Sequence, residues 1–221
     1  MRAFRTLAFL MLMAVATAGS AEAASRIFVI HGIPGVTVDV YANAAGGAIP
    51  ATPTIPGFEP KQIVDVQAGP GTFDIRIYVQ GADPQTATPV IEVLGAAIPD
   101  NVELSILAHL DASAAPTATV YQNDNSPVQA GWARVSVRHA ADAPAVQLTA
   151  GGVPKLALTN PYFGDLEVPA TTIPLQLQVP FAGTPITPVA PLTFASGTRY
   201  FVYAIGSVAG GTFDFILQAV R

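Results

Sequence analysis

Arg134-Val135-Ser136-Val137-Arg138-His139, followed by apolar Val146 and Leu148, decides the fold, because Arg26-Ile27-Phe28-Val29-Ile30-His31 repeats it ahead of Val38 and Val40. One offset of 108 carries Arg26 to Arg134, His31 to His139 and Val38 to Val146. Self-similarity at that length marks a duplicated unit rather than a short solenoid repeat. Within each stretch the residues alternate with period two, the signature of a strand with two unlike faces. Val135, Val137 and His139 share one face, and Arg134, Ser136 and Arg138 share the other, read as facing water. In the first copy Ile27, Val29 and His31 point inward. Phe28 and Ile30 make the opposite face apolar, a patch suited to contact between the repeats or with a partner.

The same apolar-in, polar-out code runs through the rest of the chain. Phe73, Ile75, Ile77 and Val79 alternate with Asp74, Arg76 and Tyr78. Their counterparts are Ile173, Leu175, Leu177 and Val179, alternating with Pro174, Gln176 and Gln178, where the proline suggests an edge strand or a strand start. Val102 to Leu110 matches Arg199 to Gly206, and Thr117 to Gln122 matches Thr212 to Ala219. Residues 42–60, rich in Ala, Gly and Pro, read as a loop. Six or seven short strands per repeat, separated by many of the 19 glycines and 20 prolines, imply an all-β fold: two tandem immunoglobulin-like antiparallel β-sandwiches. The boundaries expected are residues 24–124 for the first repeat, 125–132 for a linker, and 133–221 for the second. The polar run Asn123-Asp124-Asn125-Ser126-Pro127 marks the join.

Residues 1–23 read as a secretory signal peptide. Arg2 and Arg5 form a basic start, Thr6 to Ala16 an apolar run too short for a bilayer, and Ala21-Glu22-Ala23 a small-residue cleavage site. Cleavage after Ala23 would leave 8 basic against 14 acidic residues. A secreted or periplasmic protein of a bacterial envelope is expected, with no transmembrane segment after cleavage. The chain has no cysteine, which excludes disulfides and thiolate chemistry. Its 11% of charged residues and mild acidity argue against a nucleic-acid partner.

Several residues carry a family resemblance. His139-Ala-Ala-Asp-Ala-Pro144-Ala-Val146-Gln-Leu148 resembles the opening motif of the domain-of-unknown-function 4397 family. Phe163-Gly164-Asp165-Leu166-Glu167-Val168-Pro169 and Gly197-Thr198-Arg199-Tyr200-Phe201-Val202 are similar to its middle and closing motifs. In the first repeat Val38-Asp39-Val40-Tyr41 matches the family pattern better than the second repeat does, where Gln147 replaces the acid. The opening turn there is altered to Pro34-Gly35. The resemblance covers nearly all of residues 24–221, one copy per half. It implies secreted, immunoglobulin-like modules and brings no activity with it.

The candidate chemistry is sparse. His31 and His139 would serve as metal ligands or general bases, or would tie down the turn after each strand. The duplication separates them and His109 is the only other histidine, so the turn reading is adopted. The motif residues His31, Pro34, Val38, Asp39, His139, Pro144 and Val146 are therefore taken as structural. Asp39, Asp65 and Asp74 would suit a glycosidase-like pair only if two of them converged; surface or turn-binding roles are expected, with Asp74 on a solvated strand face. Asn123-Asp124-Asn125 lacks the oxygen spacing of a calcium loop. Tyr41, Tyr78, Tyr121 and Tyr203 are read as cross-strand partners rather than a glycan platform, and Trp132 as packing the linker. No catalytic residue, metal or cofactor is expected. The function expected is a non-catalytic surface, matrix or periplasmic interaction module, with an envelope protein or glycan as partner. The alternative is a glycan-binding or glycan-hydrolysing protein with its site in loops at one sandwich end.

Overall fold

The computed structural model describes residues 24–221; the expected signal peptide lies outside them. Among the described residues no helix forms, and none is long and apolar enough to cross a membrane. Sixteen strands fall into two sets of eight. The first repeat comprises β1 (Ser25–His31), β2 (Val38–Ala44), β3 (Ile55–Phe58), β4 (Ile63–Ala68), β5 (Gly71–Val79), β6 (Ile91–Ile98), β7 (Glu103–Leu110) and β8 (Pro116–Gln122). The second comprises β9 (Trp132–His139), β10 (Val146–Ala150), β11 (Val153–Leu158), β12 (Phe163–Pro169), β13 (Thr172–Gln178), β14 (Ala190–Thr193), β15 (Thr198–Ile205) and β16 (Asp214–Val220).

Each repeat builds two four-stranded sheets in the same order: β4-β1-β7-β8 with β3-β2-β5-β6, then β12-β9-β15-β16 with β11-β10-β13-β14. Pairing is antiparallel except between the first and seventh strands of each repeat, β1 with β7 and β9 with β15, which run parallel. The inward residues of the paired sheets make each sandwich interior. Ile27 and Leu104, and Val38, Val40, Phe58 and Ile77, fill the first; Val135, Val137, Leu148 and Leu177 fill the second.

Four expectations change in detail. A strand, β3, sits inside the expected 42–60 loop. It is only four residues, Ile-Pro-Gly-Phe, and its Gly57 N–H bonds the Asp39 carboxylate rather than continuing a ladder. β9 begins at Trp132, one residue inside the expected linker. β13 is an interior strand, not an edge. It tolerates Pro174 because that residue lies opposite Pro191, beyond the last paired residue of β10, where two residues without N–H groups face each other. The outward face of β9 is not in water: Ser136 and Arg138 are 4% and 1% exposed.

What covers that face is the other repeat. Phe28, Ile30, Leu107 and Tyr121 of the first repeat form one buried cluster with Ala140, Phe201, Tyr203, Ile205, Ile216 and Val220 of the second. The sheet of β1 and the sheet of β9 thus lie against each other along a common seam. Period-two alternation puts one row of each strand into its own sandwich and the next row into the seam. The expected apolar patch at Phe28 and Ile30 is therefore covered from within the chain.

Candidate functional site

The two histidines do the same local work in their two repeats. His31 Nε2 lies 2.8 Å from the Val36 carbonyl, and its Nδ1 accepts from the Ile33 N–H at 3.3 Å. His139 Nε2 lies 2.9 Å from the Pro144 carbonyl, with the Ala141 N–H 3.4 Å from Nδ1. The acceptor is a carbonyl five residues on, which every residue type supplies. The turn is therefore held alike whether Pro144 or Val36 stands there. Both rings are fully buried, and burial pushes their pKa values down. A neutral ring with Nε2–H donating and Nδ1 accepting satisfies every contact. His109 faces the seam instead, with Nε2 2.8 Å from Thr119 Oγ1 and Nδ1 2.8 Å from the Leu110 carbonyl.

The carboxylates are likewise consumed by backbone. Asp39, 6% exposed, accepts from the Gly57 N–H at 2.7 Å and the Gly81 N–H at 2.8 Å, tying β3 and the end of β5 to β2. Asp74 is not on a solvated face. It is 6% exposed and accepts from the Gly46 and Gly95 N–H groups, both at 2.9 Å, which hold its pKa below the usual range. Asp65 pairs on the surface with Arg26 at 2.7 Å. Asp124 accepts from the Ser126 N–H at 2.9 Å and faces Arg134 at 2.8 Å. Tyr41 and Tyr78 meet edge to face at 5.5 Å. Among the described residues no group of three His, Cys, Asp or Glu side chains is placed to hold a metal ion.

The dense polar cluster of the molecule lies in the seam. Strand register makes Glu103 and Arg199 equivalent, each paired with the arginine near the start of its repeat, Arg26 or Arg134. These equivalents meet: Arg199 Nη1 donates to Glu103 Oε1 at 2.5 Å and Nη2 to Oε2 at 3.1 Å. The next row is complementary in bulk. Phe28 pairs with Ser105 in the first repeat, whereas Ser136 pairs with Phe201 in the second. One row further, Ile30 and Leu107 correspond to Arg138 and Tyr203. The seam is thus a two-fold-like contact between unlike copies: the equivalents Glu103 and Arg199 pair by charge, and in the next row the large and small residues change places between the copies.

Arg138 is the centre of this cluster. Its Nη2 donates to Asn123 Oδ1 and its Nη1 to the Tyr203 hydroxyl at 2.9 Å. The guanidinium lies 4.6, 4.7 and 5.0 Å from the ring centroids of Tyr121, Phe201 and Tyr203, where cation–π attraction offsets part of its desolvation. Its Nε has no partner, and burial pushes its pKa down. Burial also pushes the Tyr121 phenol up to about 12. Tyr203 donates onward to Ser105 or Gln218, each at 3.1 Å, and Asn123 Nδ2 reaches Glu103 at 3.2 Å. Such a network fixes the relative placement of two surfaces, because its bonds from Arg138, Arg199 and Tyr203 form in one register only.

None of these seam residues stands out in the sequence except by comparison between repeats. Matched by their starts, the strands set Val102 against Arg199; the pairing register moves the match by one and sets Glu103 there, so the opposite charges at equivalent positions show only in the structure.

Comparison with known proteins adds the following. No curated protein matches the chain. A solved structure described as that of a candidate cell adhesion protein from Bacteroides uniformis ATCC 8492 is similar at 11% identity, over 92% of this chain and 99% of that one, with a TM-score of 0.26. A family match runs over residues 25–149, from the start of β1 into β10, taking in both copies of the histidine motif. The chain therefore belongs to the family described as Domain of unknown function (DUF4397).

Proposed function

We propose that the protein is exported and acts as a non-catalytic interaction module at the surface, in the matrix or in the periplasm. The observation that carries this reading is where the reactive groups are spent. His31, His139, Asp39 and Asp74 each hold backbone of their own repeat, and Glu103, Arg138 and Arg199 hold the repeats together. Those side chains build a platform, and the loops and edge strands at its periphery are left for partners. The basic, apolar and small-residue order of residues 1–23 supports export.

Two measurements test the reading. Mass spectrometry of material recovered outside the cytoplasm should show a chain beginning after Ala23; intact residue 1 on exported protein would contradict export. Crosslinking of the protein on intact envelope should give a discrete, saturable product, while release of reducing ends from envelope glycans stays at the buffer baseline. Glycan hydrolysis abolished by Asp65→Asn would replace the module with a hydrolase.

A further inference from the structure

Four loops of the second repeat gather at one end of its sandwich. β9 and β15 run parallel and finish together at His139 and Ala204, β12 and β16 start beside them, and β13 finishes opposite the start of β10. Residues 140–145, 159–162, 179–189 and 206–213 connect strands there. Their single charged residue is Asp142, which accepts from the Ser207 hydroxyl at 2.6 Å. Large apolar side chains stand in water on three of these loops: Tyr162 is 67% exposed, Phe181 99% and Val208 42%. The matching loops of the first repeat, at 32–37, 59–62, 80–90 and 111–115, differ in both respects. They carry Glu59, Lys61, Asp83 and Asp111, and their Ile33, Val36 and Val90 are buried or half-buried.

Phe181 contributes no burial to the fold that carries it. It sits at φ 63°, in the left-handed region that costs a bulky residue and that glycine enters freely. A strained, fully exposed aromatic at a turn is a feature that stability does not account for. The backbone around it is already prepared for leaving water. Pro180, Pro185 and Pro188 have no N–H, and the N–H groups of Val179, Ala182, Gly183, Ile186 and Thr187 bond to carbonyls of β13 or of the loop itself. In the 206–213 loop the N–H groups of Ser207, Val208, Gly210, Gly211 and Thr212 are likewise bonded, to carbonyls or to the Ser207 and Thr212 hydroxyls.

We propose that this end of the second sandwich docks on a neutral lipid surface, with Phe181 and Val208 entering the acyl layer and the Tyr162 ring at headgroup level. The proposal rests on the interaction-module reading and names a surface and a partner for it. Hydrogen bonding selects lipid over polypeptide. A protein interface carries about one hydrogen bond per 100–200 Å², whereas these loops have spent their donors on themselves and hold one engaged charge. An acyl layer asks for neither. Charge selects a neutral surface. Asn160 Nδ2 bonds both the Leu110 and the Ala141 carbonyls at 2.8 Å, which sets the loop ends of the two repeats side by side. Glu59, Asp83 and Asp111, against Lys61, therefore border the apolar loops, and anionic headgroups would be repelled by that border.

The probe is a vesicle of phosphatidylcholine alone, floated through a density gradient with the chain of residues 24–221, which holds both sandwiches. The protein should rise with the vesicles, and admixed phosphatidylglycerol at low salt should lower the bound fraction. Phe181→Gly should lower the partition coefficient about tenfold or more, the scale of one aromatic side chain leaving an apolar phase. The same variant should unfold at the parent's temperature or above it, since glycine relieves the strained turn. Phe181→Trp should give a blue-shifted emission that lipids brominated in their acyl chains quench. The native Trp132, at the opposite end of β9, should show neither effect. Absence of flotation, flotation retained in Phe181→Gly, or binding that requires phosphatidylglycerol and falls with salt overturns the proposal. An emission shift of Phe181→Trp that needs envelope protein rather than lipid also overturns it, by assigning the tip to a polypeptide. Failure of flotation leaves the envelope crosslink intact, so it is distinguishable from failure of the module reading.

Discussion

Glu103 and Arg199 occupy the same position in their respective repeats and bind each other across the seam through two hydrogen bonds. A duplicated surface meeting itself would place like charges at that point. Divergence to opposite signs makes the contact between the halves attractive and the contact of either half with its own kind repulsive. With side chains 6% and 11% exposed, the pair is largely desolvated. Glu103→Gln should therefore cost about 3 kcal/mol, the order expected when one charge of a buried pair is stranded. Combining it with Arg199→Gln should recover part of that loss in a double-mutant cycle read by urea unfolding. Additive losses would show the pair to be uncoupled.

Arg138 should behave differently, since its strongest contacts are neutral oxygens and aromatic faces rather than a carboxylate. Its equivalent in the first repeat is Ile30. Replacement by a long apolar side chain removes a desolvated charge while keeping contact with Tyr121 and Phe201. Arg138→Met should cost less than about 1.5 kcal/mol, and Arg138→Ala, which leaves a cavity among three rings, about 3 kcal/mol or more. Equal losses in chemical denaturation would mean that charge, not volume, is what the site requires.

Gly32 sets how closely the repeats approach. A Cβ added there would lie 2.8 Å from Ile205 Cγ2 across the seam and 3.0 Å from the Ala108 carbonyl. Gly32→Ala should destabilise by about 1–3 kcal/mol through overpacking. Ile205→Leu, which removes the offending methyl and keeps the volume, should restore part of it. The check is thermal unfolding of the two single variants and the double.

All three histidines have pKa values lowered by burial. The unfolded chain takes up protons near the ordinary value of 6.5, whereas the folded chain resists until lower pH. Stability from these groups is thus fully present above about 6.5 and declines as pH falls below it, toward the lowered folded-state values. Urea unfolding at pH 7.5 and 5.5 should show the loss, and His139→Ala should shrink it. The same variant should cost about 1–3 kcal/mol at neutral pH, because the Ala141 N–H loses its acceptor and the Pro144 carbonyl its donor. A pH-independent stability in this range would contradict the buried neutral rings.

The sandwiches were legible in the chain because their determinant is local. Alternation along Val135, Val137 and His139, and along Phe73, Ile75 and Ile77, says which residues share a face. Alternation does not say what covers the opposite face. Arg134-Ser136-Arg138 reads as solvated on any periodicity argument, and Arg138 is buried only because the other repeat covers it, with Tyr121 under its guanidinium and Asn123 accepting from it. Phe28 and Ile30 were the visible half of that contact; Ser136 and Arg138, the polar half, look like surface. Asp74 misleads for the same reason: its cover is two glycine N–H groups, Gly46 in the turn after β2 and Gly95 at the irregularity of β6 opposite it, which carry no side-chain pattern. β3 escapes because four residues containing Pro56 and Gly57 have no period to detect.

The seam makes the two repeats one unit, and cutting the connection between them tests that most directly. A protease site placed at residues 127–130, which are largely exposed, would sever the linker without touching Asn123 or Arg134. The account predicts that the cleaved halves still elute together at the size of the intact chain, because Phe28, Ile30, Phe201 and Tyr203 remain buried against one another, and separate only in denaturant. Halves that elute apart as folded, monodisperse monomers would contradict it.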